Sequence, residues 1–208
     1  MKKIFTIIFF AVFCGGCYTV QQAKADKEKQ NENRKAFVKS HYEFEMISPI
    51  KNNLLVFQDS NIISSFTIGS KEIDFSVTNK TKSPLKLIWD DASLGIFGRS
   101  NKIMHSGVKY IDRNNSYPPT TILPNTRLDD LVIPTDNVYY SEGYFGQYFS
   151  SPGSWQTSNL LLPIGKKKDL SEKTVGQIIT LYLPMQNMNK ENIGYTFQFK
   201  VAGVVKTK

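Results

Sequence analysis

The chain has 208 residues, 26 lysines and arginines against 18 acids for a formal net charge of +8, and only two cysteines and two histidines. That length supports one substantial domain. His41 and His105 lie far apart and the Cys-x-x-Cys pair Cys14-Gly15-Gly16-Cys17 falls at the end of the N-terminal apolar run, which disfavours a standard zinc site. No G-x-S-x-G elbow or phosphate-cradling glycine loop is present, so the common nucleophilic hydrolases and P-loop enzymes are excluded as well. The expectation is a non-enzymatic protein with no cofactor and no metal ion.

Residues 1–16 read as a signal peptide: Lys2 and Lys3, an apolar run from Ile4 to Phe13, then Cys14-Gly15-Gly16 before Cys17. The stretch is too short for a transmembrane helix, which needs about 20 apolar residues. Two glycines followed by Cys17 resemble the lipobox of bacterial lipoproteins. There the cysteine sulfur receives diacylglycerol, a third chain such as palmitate usually caps its nitrogen, and the leader is cut just before it. The family usually has Leu three residues before the modified cysteine; this chain has Cys14. The resemblance implies cleavage after Gly16, a lipid on Cys17 as the membrane attachment, and residence in the bacterial cell envelope. Tyr18 is not the Asp that commonly retains such proteins in the inner membrane, so a Gram-negative source would place it at the outer membrane.

Loss of the leader removes Lys2 and Lys3 and takes the net charge from +8 to +6. It also removes Cys14, and the lipid consumes Cys17, so the domain must be held by its core rather than by disulfides. Nucleic acid is not an expected partner, because no recognition motif is present. The densest positive run, Lys166 to Lys168, reads as a solvated loop, with contact to anionic headgroups as the sharper alternative.

Residues 17–40 carry the lipid site and a polar tether. The segment is rich in Gln, Asn, Lys and Glu, a composition that cannot bury enough apolar area to offset the entropy of ordering. From residue 41 to 208 the texture is β. Tyr42 to Met46 alternates apolar and polar residues, and Leu54–Phe57 and Ile62–Ile68 are short apolar runs. Ile73, Phe75 and Val77 alternate with Asp74, Ser76 and Thr78. After a polar turn, Leu85, Leu87 and Trp89 resume the alternation, which predicts a hairpin. This pattern resembles the early hairpin of immunoglobulin-like sandwiches in bacterial surface proteins, without their paired cysteines.

Short strands are predicted at 93–97, 102–105 and 108–111, then a proline-marked crossing between sheets at Tyr117–Asn125. A strand at 127–133 should stop at Pro134. The strongest signal closes the chain: an apolar run over 175–185, a turn at 186–192, then Tyr195, Phe197, Phe199 and Val201 in alternation. Strands at about 8–12-residue spacing argue an all-β, antiparallel sandwich, and the resemblance of the early hairpin implies an immunoglobulin-like β-sandwich.

The candidate chemistry is sparse. The acidic pairs Asp90-Asp91 and Asp129-Asp130 are read as turn and salt-bridge residues; convergence of the two on calcium or on a hydrolytic site is the alternative. His105, followed by Ser106-Gly107, is assigned a turn or strand-edge role. The most unusual stretch is Val138 to Trp155. It holds Tyr139, Tyr140, Tyr144, Phe145, Tyr148, Phe149 and Trp155 among three glycines. Aromatic rings with polar tips are enriched at recognition surfaces and membrane interfaces. Two readings stand: rings covering the edge of the sandwich, or a surface that binds protein, glycan or lipid, with an envelope protein or a surface glycan as the expected partner. A carbohydrate-binding module or a carboxylate hydrolase near this loop is the alternative function.

Overall fold

The long alternating run at the C-terminus forms the hairpin that anchors the sheet. β1 (Lys39–Ser48), β2 (Val56–Gln58), β3 (Ile62–Ile68), β4 (Ile73–Asn79) and β5 (Leu85–Leu87) precede β6 (Ser93–Ile96), β7 (Arg99–His105), β8 (Thr120–Ile122) and β9 (Arg127–Pro134). A small hairpin system follows, β10 (Val138–Ser141), β11 (Tyr144–Phe145), β12 (Ser150–Ser151) and β13 (Ser154–Thr157). β14 (Ile178–Gln186) and β15 (Asn192–Thr207) close the chain. This computed structural model describes residues 39–146, 149–164 and 170–207. Gly16, Cys17, Tyr148 and the Lys166–Lys168 run lie outside the described residues. No described helix is long and apolar enough to cross a membrane.

One sheet runs β1-β15-β14-β6-β7-β9-β4-β3-β2, with β5 added to β14 and β8 to β5. The registered pairings are antiparallel, from Ile178↔Lys200 through Gln186↔Asn192 in the C-terminal pair to Ile62↔Asn79 and Ile68↔Ile73 between β3 and β4. The expected all-β antiparallel domain is therefore what forms, as a nearly closed, barrel-like sheet. β7 carries the sheet around its corner: residues 99–102 pair with β6, and Ile103 to His105 pair with β9. The two halves then face each other. Phe66 on β3 meets Phe197 and Phe199 on β15 at ring separations of 4.5 and 5.1 Å, and Phe57 on β2 meets Phe197 at 5.6 Å. Each of these buried rings contributes roughly 1.5–3 kcal/mol of transfer free energy.

The predicted hairpin of 73–79 with 85–89 does not form. β4 pairs with β3 and β9, whereas β5 pairs with β14 and β8, so the intervening turn is a crossing between halves. Asn79 is the reason. Its side chain is fully buried; Nδ2 donates to Ser83 O and Ile122 O, both at 2.9 Å, and Oδ1 accepts from the backbone and hydroxyl of Thr81. These bonds turn the chain away from β4 and tie it to the end of β8. Alternation places each strand's apolar face but does not choose its partner.

Two smaller expectations are also corrected. Trp89 does not extend a strand: it opens a 3₁₀ turn, Trp89–Asp91, fully buried, with Nε1 donating to Thr120 Oγ1 at 2.8 Å. Residues 108–111 are not a strand but lead into a second 3₁₀ turn, Tyr110–Asp112. Pro134 ends β9 as its last residue. Ser40–Val205 forms one compact unit.

Candidate functional site

The aromatic stretch is built as a two-stage hairpin. Val138↔Thr157 through Ser141↔Ser154 register its base, and Tyr144↔Ser151 and Phe145↔Ser150 its outer part. Glycine makes this register sterically accessible. A Cβ at Gly143 would lie 2.5 Å from Ser151 O, and one at Gly153 would lie 2.3 Å from Tyr140 Oη. The two strands therefore approach more closely than side chains would permit.

The rings divide into two groups. Trp155 turns inward, half-buried; it packs edge-on against Tyr140 at 5.5 Å and Tyr110 at 6.3 Å, with the Arg113 guanidinium 5.0 Å from its ring centre. Thr157 Oγ1 donates to Tyr110 Oη at 3.4 Å, so the base of the hairpin rests on the 106–117 loop. Tyr139, Tyr140, Tyr144, Phe145 and Phe149 are instead exposed, between 50% and 83%. Tyr144 and Phe149 touch each other at 5.4 Å. Rings serving only to cover the sheet would be buried against it, and these five are not.

The hairpin and the start of β1 issue from the same end of the barrel. β9 delivers the chain to that end at Pro134, Ser158 N donates to Asn137 O, and Leu160 N donates to Ser70 O at 2.8 Å. Ser40 and Tyr42 share a cavity of about 350 Å³ with Ile68, Ser70 and Leu161 there, and Tyr42 Oη donates to Leu162 O at 2.7 Å.

The acidic pairs are put to local use. Asp90 accepts the Ser116 hydroxyl and the Tyr117 N–H, contacts that hold its carboxyl below the usual carboxylate range, with help from the charge on Lys102. Burial, and then the negative charges of Asp90 and Asp112, push the Tyr117 phenol up. Asp129 pairs with Arg127 across the strand surface. Asp130 Oδ1 accepts the N–H groups of Ser106 and Leu131, and its Oδ2 lies 3.4 Å from His105 Nδ1. No group of three or more metal-type ligands occurs among the described residues.

His105 is the end of β7, as a strand-edge role requires. Its ring stacks on Trp89 at 4.1 Å and 7°, with Tyr117 edge-on at 5.4 Å. Packed on one face and at an edge, the imidazole sits as part of the wall beneath the 106–117 loop.

A second feature escapes the sequence analysis. The outer face of β6, β7, β14 and β15 carries a depression of about 550 Å³. One row of residues crosses all four strands, Ser100–Gly95–Thr180–Gln198, and the next row places Ser93 beside Tyr182. Its only signals in the sequence are glycines at outward strand positions, Gly95 and Gly194, which period-2 reading passes over as weak strand residues. Comparison with models of known protein families, with curated proteins and with solved structures finds no match.

Proposed function

We propose that this protein is a lipid-anchored component of the bacterial cell envelope that works by binding. Cys17 carries the lipid after cleavage at Gly16, residues 17–40 act as the tether, and the β domain meets another envelope or surface component through the aromatic hairpin. The domain is read as an immunoglobulin-like variant of the β-sandwich, a reading supported by antiparallel faces packed through Phe66, Phe197 and Phe199. The observation that carries the proposal is the five exposed rings of Tyr139, Tyr140, Tyr144, Phe145 and Phe149 on a strand-supported hairpin. Large, rigid aromatic side chains give contact area at small entropic cost, and an exposed cluster of them marks an interaction surface. A non-catalytic role is supported by the local hydrogen bonds that occupy Asp90 and Asp130.

A diacylglyceryl cysteine with a further chain gives stable attachment, where a single chain is marginal. The deciding experiment is intact mass spectrometry of the native protein extracted from membranes, beside Cys17→Ser. A chain beginning at Cys17 with acyl mass, and loss of both acylation and membrane association in the variant, is the expected result. An unacylated, freely soluble wild-type chain would overturn the anchor.

A further inference from the structure

The geometry points to the depression on the β6–β7–β14–β15 face as a glycan-binding site, one that takes a neutral saccharide stacked on Tyr182. It gives the binding reading a ligand class at a place other than the hairpin, and it does not depend on the lipid at Cys17.

Three observations support it. The first is shape on a rigid frame. The floor is built from strands in continuous register, and at its centre Gly95 stands between Ser100 and Thr180, so the middle of the face is lowered where any other residue would raise it. A Cβ at Gly95 would meet Thr180 Cβ at 3.4 Å, which is ordinary contact, so packing does not demand glycine here; the space above it is what a side chain would fill.

The second is an aromatic platform. Tyr182 reaches across the neighbouring strand to Gly194, where a Cβ would come within 3.0 Å of both its Cε2 and Oη. Glycine at 194 allows the ring to settle against the backbone rather than stand upright. Ile178, well exposed, forms the apolar part of the same lining. A sugar ring presents a C–H face that packs on such surfaces and a rim of hydroxyls that does not.

The third is unspent hydrogen-bonding capacity. Gln198, Gln177 and Arg99, with the hydroxyls of Ser93, Thr180 and Tyr182, line the depression and form no side-chain hydrogen bond within the described residues. Amides and hydroxyls both donate and accept, which matches the alternating donors and acceptors of a sugar hydroxyl rim. No carboxylate lines the site and Arg99 is its single charged group, so an ammonium or a polyphosphate finds no built complement. Because these groups are held by strands, little ordering entropy is lost on binding.

The experiment is isothermal titration of the full chain in a polyoxyethylene detergent, which itself carries no sugar. The probes are maltotetraose, cellotetraose, mannotetraose and the tetramer of N-acetylglucosamine, with dextran sulfate as a charge control. Saturable binding of at least one neutral tetramer is expected. It should weaken at least tenfold in Tyr182→Ala and in Gln198→Ala, and in Gly194→Ala, which keeps the tyrosine but lifts its ring. Circular dichroism and the melting temperature of each variant separate lost binding from lost fold, and Gln198→Ala removes no buried group. Cys17→Ser and Phe145→Ser should bind as well as the parent, so failure of the anchor or of the hairpin reading is distinguishable from failure here. Binding of dextran sulfate alone, no binding by any tetramer, or binding insensitive to all three groove variants would overturn the assignment.

Discussion

Phenylalanine and tyrosine meet opposite fates in two regions of this molecule. In the barrel, Phe57, Phe66, Tyr195, Phe197 and Phe199 are buried and touch one another at 4.5 to 6.2 Å. In the hairpin, Tyr139, Tyr140, Tyr144, Phe145 and Phe149 stand exposed. Residue type does not separate the two sets; pattern and support do. From Ile193 to Val201 in β15 every second residue is aromatic or aliphatic and faces the core. The hairpin interrupts its rings with glycine and, among the described residues, rests through Trp155 and Thr157 on one layer, the 106–117 loop. A ring needs two facing surfaces to become core, and the hairpin supplies one.

The largest effect should come from breaking the buried set. Phe197→Ala removes the ring that contacts Phe57, Phe66 and Tyr195, and leaves a cavity between the two halves. A loss of about 3–5 kcal/mol is expected, read from the midpoint of urea unfolding at constant slope. A loss below about 1 kcal/mol would mean that the halves can close over the gap.

Asn79→Ala comes next. It strands Ile122 O and the Thr81 N–H at the crossing, while Ser83 O keeps the Thr81 hydroxyl, and a buried group left without its partner costs about 1–3 kcal/mol. About 3 kcal/mol in all is expected by the same measurement, because solvent reaches part of the turn. An effect within 0.5 kcal/mol, the range typical of surface sites, would show that the crossing is set elsewhere, by β5 or β8.

That crossing marks where the sequence stopped being legible. Alternation placed β1, β3, β4, β9, β14 and β15 and the faces they bury, and the Gln186–Asn192 turn fixed the last hairpin, because neighbours in sequence paired there. Alternation carries no address for a partner distant in sequence, so β4 and β5 were joined to each other although each pairs elsewhere. Trp89 followed the strand pattern and yet opened a 3₁₀ turn, since its indole N–H needed Thr120, 31 residues on. The aromatic hairpin was legible as a composition, but its inward Trp155 was not separable from its outward rings. The groove was hidden altogether, because a glycine on an outward strand position writes no pattern.

A smaller effect sharpens the comparison on the alkaline side. Tyr195 donates to Asp59 Oδ2 at 3.0 Å, and burial, reinforced by the charge of Asp59, pushes its phenol from 10.0 up to about 12, with the Asn61 hydrogen bond acting against the shift. The unfolded chain therefore loses this proton near pH 10 while the native state keeps it. Between those values the unfolded state binds fewer protons, so stability is intact below pH 10 and falls as pH rises toward 12. Tyr195→Phe should flatten that part of the curve in urea unfolding series at successive pH. An unchanged slope would assign the alkaline loss to other groups.

Gly153→Ala tests the hairpin itself. The new Cβ meets the Tyr140 ring and Ser141 O, and overpacking of this kind costs about 1 kcal/mol where the layer can shift. The readout is local: Trp155 emission should move red as Tyr140 is driven off it, while buried Trp89 stays put. No change in emission would mean that the base of the hairpin is looser than its register indicates.

The smallest effect on stability is expected where the effect on binding is largest. Phe145→Ser, and Phe149→Ser beside it, remove exposed rings and should leave the unfolding midpoint within about 0.5 kcal/mol. The contrast with Phe197→Ala is then one ring type at two extremes of cost. Under the proposed binding role these exposed rings serve contact rather than stability, and this is measurable. A photoreactive benzoylphenylalanine at position 145 should give discrete adducts in intact cells, and one at position 54, where Leu54 is an exposed apolar residue outside the hairpin, should give none. If position 145 is as silent as position 54, the hairpin is not the contact surface. If Phe145→Ser costs 2 kcal/mol or more, its ring belongs to the core set and the division between the two regions fails at its clearest residue.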